Sequence, residues 1–116
     1  MHEFGIMESA IKEVSTIALH HGAKRVHRVV IRIGTLSGVE PSSLQFAFEA
    51  VTHGTVAENA KLELQIVEAR AHCSQCGTEF ETKSTALLSC PKCSQLSFDI
   101  RGGQELELCQ IEMSKT

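Results

Sequence analysis

From Glu3 to His21 the apolar residues Ile6, Met7, Ala10, Ile11, Val14, Ile17 and Ala18 return at spacings of three and four, which puts them on one stripe of a helix. Gly22 is a natural stop for it. The period then changes. Over Lys24 to Ile33 the side chains alternate, with Val29, Ile31 and Ile33 on one face and Arg28, Val30 and Arg32 on the other, so a half-buried strand is expected, ending at Gly34. Glu40-Pro41-Ser42-Ser43 predicts the start of a second helix because proline suits the first turn. Leu44, Ala47, Phe48 and Val51 form its apolar stripe and Gly54 closes it. Lys61 to Glu68 alternates again, with Leu62, Leu64 and Ile66 on one face.

The pattern breaks at Arg70. From there to about Gly103 the chain holds four of its five cysteines, much Ser and Thr, and few large apolar residues, too little to build a core without a metal. Strand character returns over Glu105 to Met113, but Leu106 and Leu108 are out of phase with Ile111 and Met113, and a bulge near Cys109 would reconcile them. Cys109 itself, in an apolar strand, is expected to be an inert core thiol. The order helix, strand, helix, strand, cysteine module, strand is α+β, divided into one domain of residues 1–69 plus 104–116 and an inserted module of residues 70–103.

Cys73-Ser-Gln-Cys76 and Cys90-Pro-Lys-Cys93 are two Cys-x-x-Cys knuckles separated by 13 residues. Within a knuckle the two-residue gap lets both sulfurs reach one ion at about 2.3 Å, and two knuckles complete a tetrahedral four-thiolate shell suited to zinc. Such a shell leaves no open coordination position, so the expected role is structural rather than catalytic or redox. Gly77 and Pro91 fit the tight turns that aim backbone N–H groups at sulfur. His72 adjoins Cys73 as a supporting group or an alternative ligand.

A net charge of -3 over 116 residues and a pI near 6.0 argue against nucleic acid and anionic membrane as partners. The 77–89 loop agrees, with Glu79 and Glu81 against Lys83 and Phe80 as its only aromatic residue. Lys24, Arg25, Arg28 and Arg32 remain as a phosphate candidate, set against a solvated strand face or a protein interface. No run approaches the roughly 18 apolar residues of a membrane span, and the first residues lack a secretory signal's basic start and apolar stretch. A cytoplasmic location is expected, where thiols stay reduced and clustered cysteines hold metal. Of fourteen acidic residues only Asp99 is an aspartate, and no catalytic constellation appears, so no enzyme is expected.

His2 adds a second metal-binding possibility. With Met1 retained, because the residue after it is large, the start of the chain offers a free amine, the backbone nitrogens of His2 and Glu3, and the His2 imidazole. Nitrogen donors in a plane favour Ni(II) or Cu(II) over zinc. The first N–H groups of a helix have no intrahelical partner, so deprotonating these two amides sacrifices no helical hydrogen bond. Amidate charge would also offset a dication beside the positive end of the helix dipole. His20 and His21 suit the C-terminal turn of the first helix, while His27 and His53 show no partner at ligand spacing.

Met1-His2-Glu3, Gly34 with Leu36-Ser37, Val39-Glu40-Pro41, Leu44-Gln45-Phe46 with Phe48, and the paired knuckles together resemble the HypA/HybF family of hydrogenase nickel incorporation proteins, over essentially the whole chain. The resemblance implies two helices packed on a small three-stranded sheet with a zinc-ribbon-like module. It also implies a nickel metallochaperone that acts with the GTPase HypB, passes Ni(II) to the NiFe hydrogenase large-subunit precursor and, in some organisms, works with urease maturation factors. His2 becomes the nickel ligand, with the Met1 amine and the Glu3 backbone as companions, and Cys73, Cys76, Cys90 and Cys93 become ligands of a structural Zn(II). Some relatives carry histidine directly after the second cysteine of each knuckle and are thought to exchange zinc ligands with pH. Gly77 and Ser94 stand at those positions here, so zinc ligation is expected to change little over the pH unit around the histidine pKa of ~6.5. The competing reading is a zinc-ribbon protein- or nucleic-acid-binding module without nickel chemistry.

Overall fold

The protein was analysed as a computed structural model. The structure describes residues 2–82, 89–94 and 99–116, with the backbone alone for His2 and Thr82. Met1 and Lys83 lie outside the described residues. The chain is α+β and divides into two compact units, one of residues 1–31, 39–65 and 107–116 and the other of residues 32–38 and 66–106.

In the first unit, α1 runs His2–His20 and α2 runs Pro41–Val51. The helices pack on each other. Met7, Ile11, Val14 and Ala18 of α1 are buried, with Ile6, Ala10 and Ile17 half-buried beside them, which is the expected stripe with a graded edge. Gly22 ends the run at φ +66°, a conformation that costs glycine nothing. On α2, Leu44, Ala47 and Phe48 are buried, Pro41 opens the first turn, and the Glu40 carboxylate accepts the Ser42 N–H as the cap. Thr52, the next residue, is buried and satisfied by donating its hydroxyl to the Phe48 carbonyl at 2.7 Å.

Three strands, β1 (Arg25–Gly34), β2 (Lys61–Val67) and β6 (Leu106–Ser114), form a sheet of order β2-β1-β6. Bonds from Lys24 N–H to the Ser114 carbonyl and from Gly34 N–H to the Glu105 carbonyl run β6 antiparallel to β1. Val29 and Ile31 are buried as expected, but Val30, expected on the opposite face, is buried too, because β1 is the central strand with a neighbour on both sides. Ile66 departs the other way and is exposed, since β2 is an edge. In β6 the exposed pair Cys109 and Gln110 separates half-buried Leu108 and Ile111, so the change of phase falls where the sequence predicts it. Cys109 is not the expected core thiol: at the phase change on an edge strand it points to solvent.

The second unit carries β3 (Ala69–His72), β4 (Glu79–Thr82) and β5 (Asp99–Gly102) in an antiparallel sheet of order β4-β3-β5. Ala71, Cys73, Phe80 and Cys90 form a buried cluster in it, with Cys93 and Ile100 packed against them. Three segments cross tightly at its base. Gly34 N–H bonds the Glu105 carbonyl, Leu36 N–H the Gly103 carbonyl, Thr35 N–H the Val67 carbonyl, and Ala69 N–H the Thr35 hydroxyl oxygen. Glycine is required at both crossing points: a Cβ on Gly34 would overlap the Gly103 backbone, and one on Gly103, at φ +98°, would overlap Ala69.

Candidate metal centres

The two knuckles adopt one and the same turn. In the first, Gly77 donates its N–H to the Cys73 carbonyl at 2.8 Å with φ +74°; in the second, Ser94 donates to the Cys90 carbonyl at 2.9 Å with φ +62°. The residue after the second cysteine thus closes each loop in the left-handed region, which is free for Gly77 and strained for Ser94. The first turn is also tied to β4's entry, because Cys73 N–H bonds the Thr78 carbonyl.

These turns bring four sulfurs into one cluster. All four Sγ atoms lie within 4.8 Å of one another, with Cys73 to Cys93 at 3.4 Å and Cys76 to Cys90 at 3.5 Å. Tetrahedral zinc with bonds near 2.3 Å needs sulfur–sulfur edges of about 3.8 Å, so the donor set fits that ion. Cys73 and Cys90 are buried, Cys93 is intermediate and Cys76 is exposed, which leaves one open flank to the cluster. The Thr78 hydroxyl, 3.2 Å from Cys76 Sγ, and the Thr78 N–H lower the Cys76 thiol pKa to about 6, with a further contribution from Cys90. Cys76 is therefore ready as a thiolate for metal at neutral pH. Thr78 is a residue that the spacing of cysteines does not point to.

His72 stands outside this cluster of sulfurs. It faces Asp99 across the β3–β5 register, with Nδ1 3.4 Å from Asp99 Oδ2. Asp99 in turn receives Arg101 through Nε at 2.9 Å and a second nitrogen at 2.8 Å, and that guanidinium holds its carboxyl below the ordinary aspartate value. Sequence reasoning had no signal for this pairing, because His72 and Asp99 meet only through strand register.

At the other candidate centre, His2 is the first residue of α1. Glu3 follows in the first turn, where its carboxylate accepts the Glu40 N–H at 3.3 Å. Its own backbone N–H and that of Glu40 hold its pKa below the ordinary value. The Glu3 side chain is thus engaged with the start of α2, which leaves its backbone as the group to consider for a metal.

Of the basic cluster read from the sequence, Lys24, Arg25 and Arg28 line one polar cavity together with Lys61, and Arg32 lines a different one. Arg28 is forked between Glu63 Oε1 and Glu112 Oε2, each at 2.5 Å, from the two strands that flank β1. His27 Nε2 is 2.7 Å from the Ser114 hydroxyl, and His53 pairs with Glu58 at 2.9 Å, so neither joins a metal cluster. Among the described residues no helix is long and apolar enough to cross a membrane.

The pattern of a family described as hydrogenase/urease nickel incorporation, metallochaperone, hypA matches residues 1–113. A relative from Aquifex aeolicus called hydrogenase maturation factor HypA is 41% identical over 113 residues, 97% of each chain. One of the same name from Nitrosospira multiformis is 39% identical over 116 residues, all of both chains. The solution structure of the nickel metallochaperone HypA from Helicobacter pylori superposes with a TM-score of 0.67 at 26% identity, covering 98% of each chain.

Proposed function

Because the chain belongs to the HypA family of hydrogenase and urease nickel incorporation metallochaperones, we propose that it binds Ni(II) at its first three residues and delivers it to the NiFe hydrogenase large-subunit precursor. The ligands are the His2 imidazole, the Met1 amine and the backbone nitrogens of His2 and Glu3. The observation that carries this reading is the start of α1 at His2. Amides in a first helical turn have no intrahelical acceptor, so their deprotonation breaks no bond of the helix. The Glu3 carboxylate, which accepts the Glu40 N–H, stays out of the donor set, which then consists of nitrogens and favours Ni(II) in a plane.

Cys73, Cys76, Cys90 and Cys93 hold a structural Zn(II) that stays in place while nickel comes and goes. The zinc supplies a cross-link, and the two matched turns orient its ligands. Delivery proceeds with the GTPase HypB in the cytoplasm, by ligand exchange rather than by an enzymatic step, and urease maturation factors are a second possible destination. Nucleic acid and membrane are not partners.

Nickel titrated into tag-free protein and into His2→Ala tests the reading. Micromolar or tighter binding by the first and none by the second is expected, and an N-terminal extension should abolish binding by removing the amine. Equal binding by both proteins, or by neither, would leave a zinc-ribbon interaction module without nickel chemistry.

A further inference from the structure

Two of the chain's five phenylalanines stand in solvent at one place. Phe46 is 73% exposed and Phe4 37% exposed, whereas Phe48 and Phe80 are buried. Large aromatic side chains are mostly buried on average, and a paired exposure of this kind marks contact surfaces. Phe46 lies off the buried stripe of α2, so packing within the fold does not account for it. The two rings flank a groove of about 340 Å³ whose other walls are Glu3, Ser42, Ser43 and Ala47.

The charge around the groove has one sign. No Lys or Arg occurs in residues 1–11 or 33–60. Glu3 is in the wall, Glu40 is bonded to it, Glu8 is one turn along α1 from Phe4, and Glu49 is one turn along α2 from Phe46. Lys24, Arg25, Arg28 and Lys61 line a separate cavity, where Glu58 and Glu112 stand beside them.

We infer that the Phe4–Phe46 groove docks an amphipathic helix of a partner protein whose apolar seam is flanked by Lys or Arg. An apolar floor with a carboxylate rim selects that chemistry: the seam covers the rings, and the flanking cations meet Glu3, Glu40, Glu8 and Glu49. Glu3 in the wall is the neighbour of His2, so a helix seated here brings its protein to the nickel ligands. That purpose rests on the metal-transfer reading above; the groove and its charge do not.

The test is an NMR titration of the full-length, tag-free chain with a capped 14-residue helical peptide of Leu and Lys, and with the same peptide carrying Glu for every Lys. The Lys peptide should shift Phe4, Ser42, Ser43 and Phe46, bind more weakly as salt is raised, and lose at least tenfold in affinity against Phe46→Ala. The Glu peptide should not bind. The inference fails if Phe46→Ala binds the Lys peptide as wild type does, if both peptides bind alike, or if the shifts fall on Lys24, Arg25 and Lys61. It fails equally if sedimentation finds a peptide-free dimer that Phe46→Ala dissociates, because the occupant is then a second copy. Nickel titration separates the two proposals, since Phe46→Ala should bind nickel normally and His2→Ala should bind the Lys peptide normally.

Discussion

The two units reach a folded state with different materials. The first buries Met7, Ile11, Val14, Val26, Val29, Leu44 and Phe48, enough apolar volume for helices to pack in the usual way. Among the described residues the second packs Ala71, Cys73, Phe80 and Cys90 into one small cluster, so two sulfur donors are part of its core. Where apolar mass is scarce, the same side chains serve as core and as metal ligands. Loss of metal should then be a structural event in one unit and nearly silent in the other.

The largest effect expected is the one that breaks this comparison most directly. Stripping the metal with a strong chelator, or replacing Cys90 with Ala, should abolish amide protection across β3, β4 and β5, because the ion's binding free energy is folding free energy for such a module. α1 and α2 should remain protected in the same hydrogen-exchange experiment. Loss of protection in both units, or in neither, would show that the division is not an energetic one. Next in size is Leu44→Ala, at a fully buried position, for which a cost of about 2–5 kcal/mol is expected in urea denaturation. The accessibility of the four cluster thiols should not change in that variant.

The two knuckles give a finer comparison. Ser94→Gly removes a left-handed strain that Gly77 does not carry, and should stabilise the metal-loaded second unit by about 1 kcal/mol in thermal unfolding. Gly77→Ala should destabilise it by a similar amount. Smallest is the Arg28 fork, whose partners are well exposed. Arg28 holds the Glu63 carboxyl below its ordinary 4.5, so the pair's contribution is present above that pH and is lost as pH falls through the lowered folded value. Arg28→Met should therefore be less stable than wild type at pH 7, and the difference in urea midpoint should vanish in acid. A difference that persists in acid would mean that Arg28 acts through packing of its stem rather than through charge.

Much of the architecture was legible in the chain because it is local. The buried positions 7, 11, 14 and 18 repeat at helical spacing, Gly22 marks the end of that helix and Pro41 the start of the next, and each knuckle is a turn of a few residues. Ser94 shows the same logic by comparison with Gly77, since it sits at the matched place in a matched turn. Cys109 departs from the expected core thiol because an apolar strand is covered only where its place in the sheet provides a neighbour. Lys24, Arg25 and Arg28 do share a cavity, but the sequence pattern does not reveal the two carboxylates that engage Arg28. Its partners Glu63 and Glu112 are distant in sequence and arrive on the flanking strands.

The sequence by itself determined the element order, the stripes that build the first unit and the four donors of the cysteine cluster, all of which follow from periodicity or from short spacings. Only the tertiary structure decided which strands are central and which are edges, and hence that Val30 is covered and Cys109 is not. It also decided that Gly34 and Gly103 meet where no side chain fits, that Thr78 supports the Cys76 thiolate, and that Phe4 and Phe46 share a groove. The physical reason is the same in each case. Burial, close approach and partner identity depend on segments brought together across long stretches of chain, whereas periodicity and turn chemistry are complete within a few residues.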